Sequence, residues 1–479
     1  MKFGYLPLYM KGELCDAQSG ERHSVTCPAT DEVIGEVAKA GPADAEIALN
    51  AALEAFKTWS RLPLEERIGW IQKLKDAIGE NREAIQEALM YETGKVWTQA
   101  EMEPGLLMES LDYFCDAMRK QESEAIPDPD GDCLHELLYE PLGVVVSYLP
   151  WNFPLETMSF KLGPALVTGC TIVIKPSPET PISAYLIGKI CHDIGFPPGV
   201  LSFMYGDNEV LPPALSGSTI PALLSAVGSF ATGRKILSQG NTSLKHYCFE
   251  LGGNAPAIVF DDADKDIAQG IICGFKMFNA GQICIDPNRI FVHKSIASEM
   301  EKRFVEGVAD QKPGFGKDSG ATLGPLIRHE ARDRIHDWVT DAVEKGAEIL
   351  AGGDLSALPA DGSFYPPTVI KGVTPDMQLY RGEIFGPVIS IIEFEDDDEV
   401  LEMANDTEAG LSSFIFTEDG ERIDRFSREL EFGEVMVNAA KWAPYLPHMG
   451  IKQSGLGLVG SSKALHEFQR VKRVTRKAG

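Results

Sequence analysis

The apolar positions change their period along the chain, and the change divides it. Across residues 44–81 and 82–93, Ala45, Ala48, Leu49, Ala52 and Phe56, then Ile68, Ile71, Leu74 and Ile78, return every three or four positions. That is the spacing of one buried helix face, so amphipathic helices are predicted there. Pro63 falls near the start of the second, where its missing N–H costs nothing. A turn rich in Pro and Asp at 126–132 leads into a strand at 133–139. From Gly143 the pattern becomes continuous apolar runs, at 144–149 and 171–174, each followed by a helical stretch, at 155–168 and 182–194. Strand, helix, strand, helix at this spacing predicts a parallel sheet with helices on its faces. A second alternation starts at 255–260, passes through a helix ending near Asn279, and continues with strands at 289–293, 389–394 and 434–437. Two α/β units with a hinge near Leu251-Gly252-Gly253 are expected. The tail at 468–474 alternates like a strand and, with 133–139, is expected to form a β-arm whose exposed edge pairs with another subunit.

Composition narrows the function classes. The chain has 479 residues, too many for one ordinary core. Its 44 Lys and Arg against 71 Asp and Glu give a formal charge of −27, which disfavours a nucleic-acid partner. No apolar run reaches membrane-spanning length, and the first residues show no secretory signal. Nine cysteines without a close-spaced framework fit neither a disulfide scaffold nor a metal site, so a cytoplasmic protein without metal is expected.

One cysteine stands apart by its company. Cys284 ends the run Phe278-Asn279-Ala280-Gly281-Gln282-Ile283-Cys284, and upstream lies Glu250-Leu251-Gly252-Gly253-Asn254. A thiol after a flexible Gly-Gln step, plus a carboxylate followed by glycines, is what covalent catalysis with a separate water-activating base requires. Pro150-Trp151-Asn152-Phe153-Pro154 follows the strand at 144–149, where open α/β sheets bind ligands, so the Asn152 amide can donate to an oxyanion. Lys175 ends the next strand, either reaching a ribose or phosphate or lying in a solvated loop. Gly228-Ser229 before a helix either holds pyrophosphate or caps the helix. Glu383-Ile384-Phe385 either binds a ribose and a ring or is a surface turn. Arg289 is either a carboxylate anchor for substrate or a structural ion-pair partner. No histidine pairs with a Cys or Asp at telling spacing, and His448 alone is placed near a pocket.

Taken together and in this order, these motifs make the chain resemble the NAD(P)+-dependent aldehyde dehydrogenase superfamily, nearly end to end. Glu250-Leu251-Gly252-Gly253-Asn254-Ala255-Pro256 and the glycine-rich segment 450–457 are most similar to the succinate-semialdehyde dehydrogenase group. The resemblance implies a Rossmann-like cofactor domain at 1–119 and 141–251, an α/β catalytic domain at 252–440, and an oligomerisation arm at 120–140 and 460–479. It implies that Cys284 attacks the aldehyde, that Asn152 and the Cys284 N–H hold the oxyanion, and that Glu250 activates water against a thioester. It implies a cofactor site built from Leu149, Pro150, Trp151, Lys175, Gly228, Ser229, Leu251, Gly252, Glu383 and Phe385. Phe153, Phe160 and Phe278 would line the aldehyde tunnel, and the protein would be a homodimer or homotetramer.

Several departures bear on specificity. Many NAD-preferring relatives carry Glu three residues after the motif Lys. Here that position is Pro178, with Glu179 one step later, so NADP meets less repulsion and either cofactor is expected. The helix start Gly228-Ser229-Phe230-Ala231-Thr232-Gly233 is altered from the usual run. Glu156 stands where an apolar residue is common, and His448 where Phe is common. The expected substrate is a small aldehyde or semialdehyde. Two rivals are a CoA-acylating semialdehyde dehydrogenase, disfavoured by Glu250, and a catalytically silent structural protein, disfavoured by the intact Cys284, Glu250 and Asn152.

Overall fold

A computed structural model describes residues 1–356 and 358–478. The chain builds two large sheets, each with its own apolar core, and a three-stranded arm. In the first sheet five parallel strands run in the order His246–Glu250, Pro221–Val227, Val144–Tyr148, Thr171–Lys175, Leu201–Phe203. The chain lays down Val144–Tyr148 first, builds outward through Thr171–Lys175 and Leu201–Phe203, then returns to add the other two strands on the opposite side. The order therefore reverses between Val144–Tyr148 and Pro221–Val227. Loops leaving these two strands diverge there and open a crevice at their carboxyl ends. Every residue of Val144–Tyr148 and Thr171–Lys175 is buried, as continuous apolar runs require when helices cover both faces.

The second sheet has six parallel strands, Thr368–Lys371, Val388–Phe394, Pro287–His293, Ala255–Val259, Ser412–Phe416 and Glu434–Val437, with Glu348–Ala351 antiparallel at one edge. Only residues 251–254 join Glu250, last residue of the first sheet's strand, to Ala255 of the second. The link is tight: a side chain on Gly253 would overlap the Cys284 carbonyl, which explains glycine at this close approach. The two sheets thus meet where Glu250 and Cys284 lie.

Helix boundaries depart from the periodicity where local chemistry intervenes. The apolar stripe at 44–81 belongs to two helices, Pro42–Trp59 and Leu64–Glu80, broken before Pro63. Pro63 stands just outside the second, as its N-cap. The helix predicted to end near Asn279 is Lys265–Met277. Beyond it Asn279 (φ 49°), Ala280 (φ 53°) and Gly281 (φ 70°) are left-handed and turn the chain toward Cys284. The helices Met102–Arg119, Ala297–Ala309 and His329–Glu344 and the strand Ser412–Phe416 went unread in the pattern.

The arm forms as expected and is longer. Gln469–Lys477 pairs antiparallel with Cys133–Pro141, which also pairs with Glu124–Ile126. The 3-10 segment Ser462–Phe468 ahead of it buries Ala464, Leu465 and Phe468 in the first core. Among the described residues no helix is long and apolar enough to cross a membrane.

Candidate active site

Cys284 sits half-buried where two cavities meet. Asn152, Val227, Glu250 and Cys284 line both of them. On one side lies a space of about 250 Å³ bounded by Pro150, Trp151, Leu251, Gly252, Glu383 and Phe385. It shares Pro150, Trp151, Gly228 and Ser229 with a further space of about 440 Å³ that holds Leu149 and Lys175. On the other side runs a tunnel of about 500 Å³ whose walls include Phe153, Phe160, Phe275, Phe278 and Trp442. The rings of Phe153 and Phe278 stack at 6.1 Å, and Phe160 meets Trp442 edge-on at 4.8 Å.

The loop carrying Cys284 is held rather than flexible, which corrects the reading of the Gly-Gln step. The buried Gln282 side chain donates to Asn279 O (2.9 Å) and Pro325 O (3.3 Å) and accepts from the Ile327 N–H (2.9 Å). A buried pair, Lys276 with Asp286 at 2.6 Å, staples the loop from both ends. Burial raises the Asp286 carboxyl to about 7 against the pull of Lys276. Asn152 lies across from this loop. Its Nδ2 donates one hydrogen to Gln282 O at 3.0 Å, leaving the second N–H for a ligand.

Two residues that no motif indicated fix Asn152. Buried Lys95 donates to Asn152 O at 2.6 Å and pairs with Glu103. Glu103 in turn accepts from the N–H groups of Leu155 (2.9 Å) and Glu156 (3.2 Å), at the start of the helix Pro154–Thr168. An anion there satisfies open donors and complements the helix dipole. Both residues lie far from Asn152 in sequence, so no local signal marks them.

Glu250 is buried, and its Oε1 has no hydrogen-bond donor among the described residues. Its neighbour is His448, with Nε2 at 3.5 Å from Oε1. The fold thus brings His448 and Glu156 into the tunnel wall, as their sequence departures suggested. Burial, helped by the Glu103 charge, raises the Glu156 carboxyl to about 8. Burial and the Glu250 charge push the Cys284 thiol well up, opposed by His448.

Arg289 does not reach the substrate side and serves the fold instead. It is fully buried, donates to the carbonyls of Asn254, Met403 and Ala404, and lines neither cavity. Strand Pro287–His293 turns its side chain beneath the link at Asn254, where it satisfies backbone oxygens instead of forming the expected ion pair or receiving substrate.

The cofactor-side cavities fit a dinucleotide by their donor set. Ser229 caps the helix Phe230–Gln239, accepting from Thr232 N at 3.2 Å, and the first turn carries no acid, so its N–H groups suit a pyrophosphate. The altered helix start therefore still builds the anion-binding end. The Glu383 carboxylate accepts from Gly253 N at 2.9 Å, and burial raises it to about 7. Phe385, left-handed at φ 55°, meets Trp151 edge-on at 5.4 Å. Lys175 is buried against Asn208 Oδ1 at 2.6 Å, and burial lowers it to about 8. Glu179 reaches this cavity from one position later than expected, held by Ser177 and by Arg328 at 2.7 Å. Arg334, also unread, borders the cavity and donates to the carbonyls of Glu383 and Ile384.

A thiol between a cleft that fits a dinucleotide and an apolar tunnel is the arrangement of a dehydrogenase of carbonyl compounds. The aldehyde dehydrogenase family matches residues 15–474, and the chain belongs to that family. It is 37% identical over 467 residues to the 3-sulfolactaldehyde dehydrogenase of Pseudomonas putida, covering 97% of this chain and 96% of the relative. It is 33% identical over 464 residues to the NADP(+) succinate-semialdehyde dehydrogenase of Escherichia coli, covering 97% and 96%. A betaine aldehyde dehydrogenase from Staphylococcus aureus, solved with NAD+, superposes with a TM-score of 0.94 at 32% identity over 98% of this chain and 97% of that one. The protein is an oxidoreductase that converts a small aldehyde to its acid with NAD or NADP.

Proposed function

We propose that Cys284 is the nucleophile, Asn152 the oxyanion donor and Glu250 the base for hydrolysis, acting on a neutral, largely apolar aldehyde. The observation that carries the reading is that these three residues line both cavities at their junction. Cys284 sulfur adds to the aldehyde carbon, and the new oxyanion is met by the free Asn152 N–H and the Cys284 backbone N–H. A bound NAD or NADP would supply the acceptor for the hydride leaving that carbon. Cys284 is left as a thioester, and Glu250 takes a proton from the water that cleaves it. Glu383 and Phe385 hold the nicotinamide end, Ser229 with its helix the pyrophosphate, and Lys175 the adenosine end.

The substrate follows from the tunnel wall. Among its lining residues there is no Lys or Arg, and its ionisable groups are Glu156, Glu250, Cys284 and His448. An anionic tail would lie against aromatic rings and acids, at a desolvation cost that no Lys or Arg there offsets. Semialdehyde acids suit the relatives by their names; this tunnel favours aryl and alkyl aldehydes. The units 1–119 with 141–251, and 252–440, serve as cofactor and catalytic domains. The arm, with exposed Leu134 and Val471, offers an open strand edge for a homodimer or homotetramer in the cytoplasm.

Reduced-nicotinamide absorbance tests the scheme. Cys284→Ala should lose turnover by at least about a thousandfold yet still bind cofactor. Glu250→Gln should give one equivalent of reduced nicotinamide per site and then stall. Wild type requiring CoA, or Cys284→Ala turning over normally, would overturn the reading. In the same assay benzaldehyde and hexanal should exceed succinate semialdehyde in kcat/KM.

A further inference from the structure

The Cys284 sulfur has a neighbour that this scheme leaves idle. A His448 ring nitrogen, the sulfur and a Glu250 carboxylate oxygen all lie within 4.8 Å of one another. His448 is buried, and its backbone is pinned on both sides: its N–H donates to Val459 O at 2.7 Å, and the Val459 N–H returns to His448 O at 2.9 Å. Nδ1 lies 2.6 Å from Glu434 Oε1, and the second oxygen of Glu434 accepts from Ser412 Oγ at 2.8 Å. A carboxylate fixed at both oxygens decides the tautomer. Nδ1 carries the proton donated to Glu434, so Nε2 faces Glu250 and the sulfur.

We propose that His448 and Cys284 form an imidazolium–thiolate pair, with Glu434 as the positioning residue that holds the ring. The proposal rests on Cys284 being the nucleophile, and it divides the work: His448 activates the sulfur and Glu250 activates water. In the activating step the S–H bond breaks, its proton passes to Nε2, and the electron pair stays on sulfur. Attack then forms the S–C bond while the carbonyl π pair moves to oxygen. No oxidant or further reactant enters this step.

The charges around the ring agree with that direction. The titratable groups facing His448 are Cys284, Glu250, Glu434 and Glu156. Burial is the largest influence and disfavours the imidazolium, but the neighbouring Cys284, Glu250 and Glu434 together hold His448 well above its ordinary value. Glu156, raised to about 8, is mostly protonated at neutral pH and adds little negative charge beside the ring. A cation fixed against a half-buried sulfur opposes the burial that would otherwise keep the thiol protonated.

Iodoacetamide alkylation of Cys284, followed by mass spectrometry on the whole chain between about pH 5 and about pH 9, reads the thiolate directly. His448→Gln should move the midpoint upward by at least about one unit and slow neutral-pH alkylation about tenfold. His448→Phe, which fills the same space, should do the same, and Glu434→Gln should shift the midpoint the same way by less. Cofactor affinity reports that each variant is folded. An unchanged midpoint in both His448 variants overturns the pair. If Cys284→Ala is inactive while the midpoints stay put, only the pair falls; if Cys284→Ala keeps turnover, the nucleophile itself falls.

Discussion

The two sides of Cys284 are built from different materials. The cofactor side is walled by loop backbone, a helix start and ionisable groups, among them Glu383 and Lys175. The tunnel side is walled by rings and aliphatic chains, with His448, Glu156 and Glu250 as its titratable carriers besides the thiol. Backbone N–H groups and short polar side chains suit a ligand that every turnover shares. Rings and aliphatic chains set shape and exclude water, so that wall selects the substrate. The same cysteine therefore answers to two specificities that can be altered separately.

Residues at the junction should break both sides at once. Asn152→Ala removes the proposed oxyanion donor and should lower kcat by about a hundredfold to a thousandfold for every aldehyde and either cofactor. A loss confined to one aldehyde class would place Asn152 in selection instead. Lys95→Met leaves the Glu103 carboxylate buried without its partner. Unfolding in denaturant should show a loss of about 3–5 kcal/mol, with kcat falling because the Asn152 loop is no longer held.

Changes to one wall should spare the other. Trp442→Ala removes a ring packed on Phe160. It should lower kcat/KM for aromatic aldehydes by about tenfold to a hundredfold and leave cofactor affinity unchanged. Weaker cofactor binding in this variant would mean that the walls are coupled.

The smallest effects come from pH. The Glu383 carboxyl, raised to about 7, is neutral below that value and ionised above it. Ribose hydroxyls donate to the ionised form, so cofactor Kd should fall by about threefold as pH rises through 7. Glu383→Gln should flatten the profile. Lys175, lowered to about 8, is charged below that pH and neutral above it. Any preference for NADP over NAD that depends on its charge should shrink as pH rises through 8, as paired titrations with the two cofactors would show.

Much of the cofactor side was legible because its motifs are local. Gly228-Ser229, Lys175 and Glu383-Ile384-Phe385 each end a strand or start a helix, and the fold carries them all to continuous cavities. The tunnel side was legible only in part. Phe153, Phe160 and Phe278 could be named, whereas Trp442 lies on a segment without periodic pattern. His448 lines the tunnel, in keeping with its expected place near a pocket, whereas Arg289 does not reach it. The arginine follows Cys284 closely in sequence yet points beneath the sheet link, and the histidine, far along the chain, reaches the sulfur.

Taken by itself, the sequence determined the two α/β units, the arm strands, the residues proposed as nucleophile and base, and the family. These follow from periodicity and from short runs whose backbone chemistry is self-contained. The tertiary structure alone decided that Lys95 and Glu103 hold Asn152, that Glu434 orients His448, and that no Lys or Arg among the described residues lines the tunnel. Those facts depend on strand order and on the direction in which each side chain leaves its element. Sheet pairing and core packing set both, over separations that local sequence does not encode.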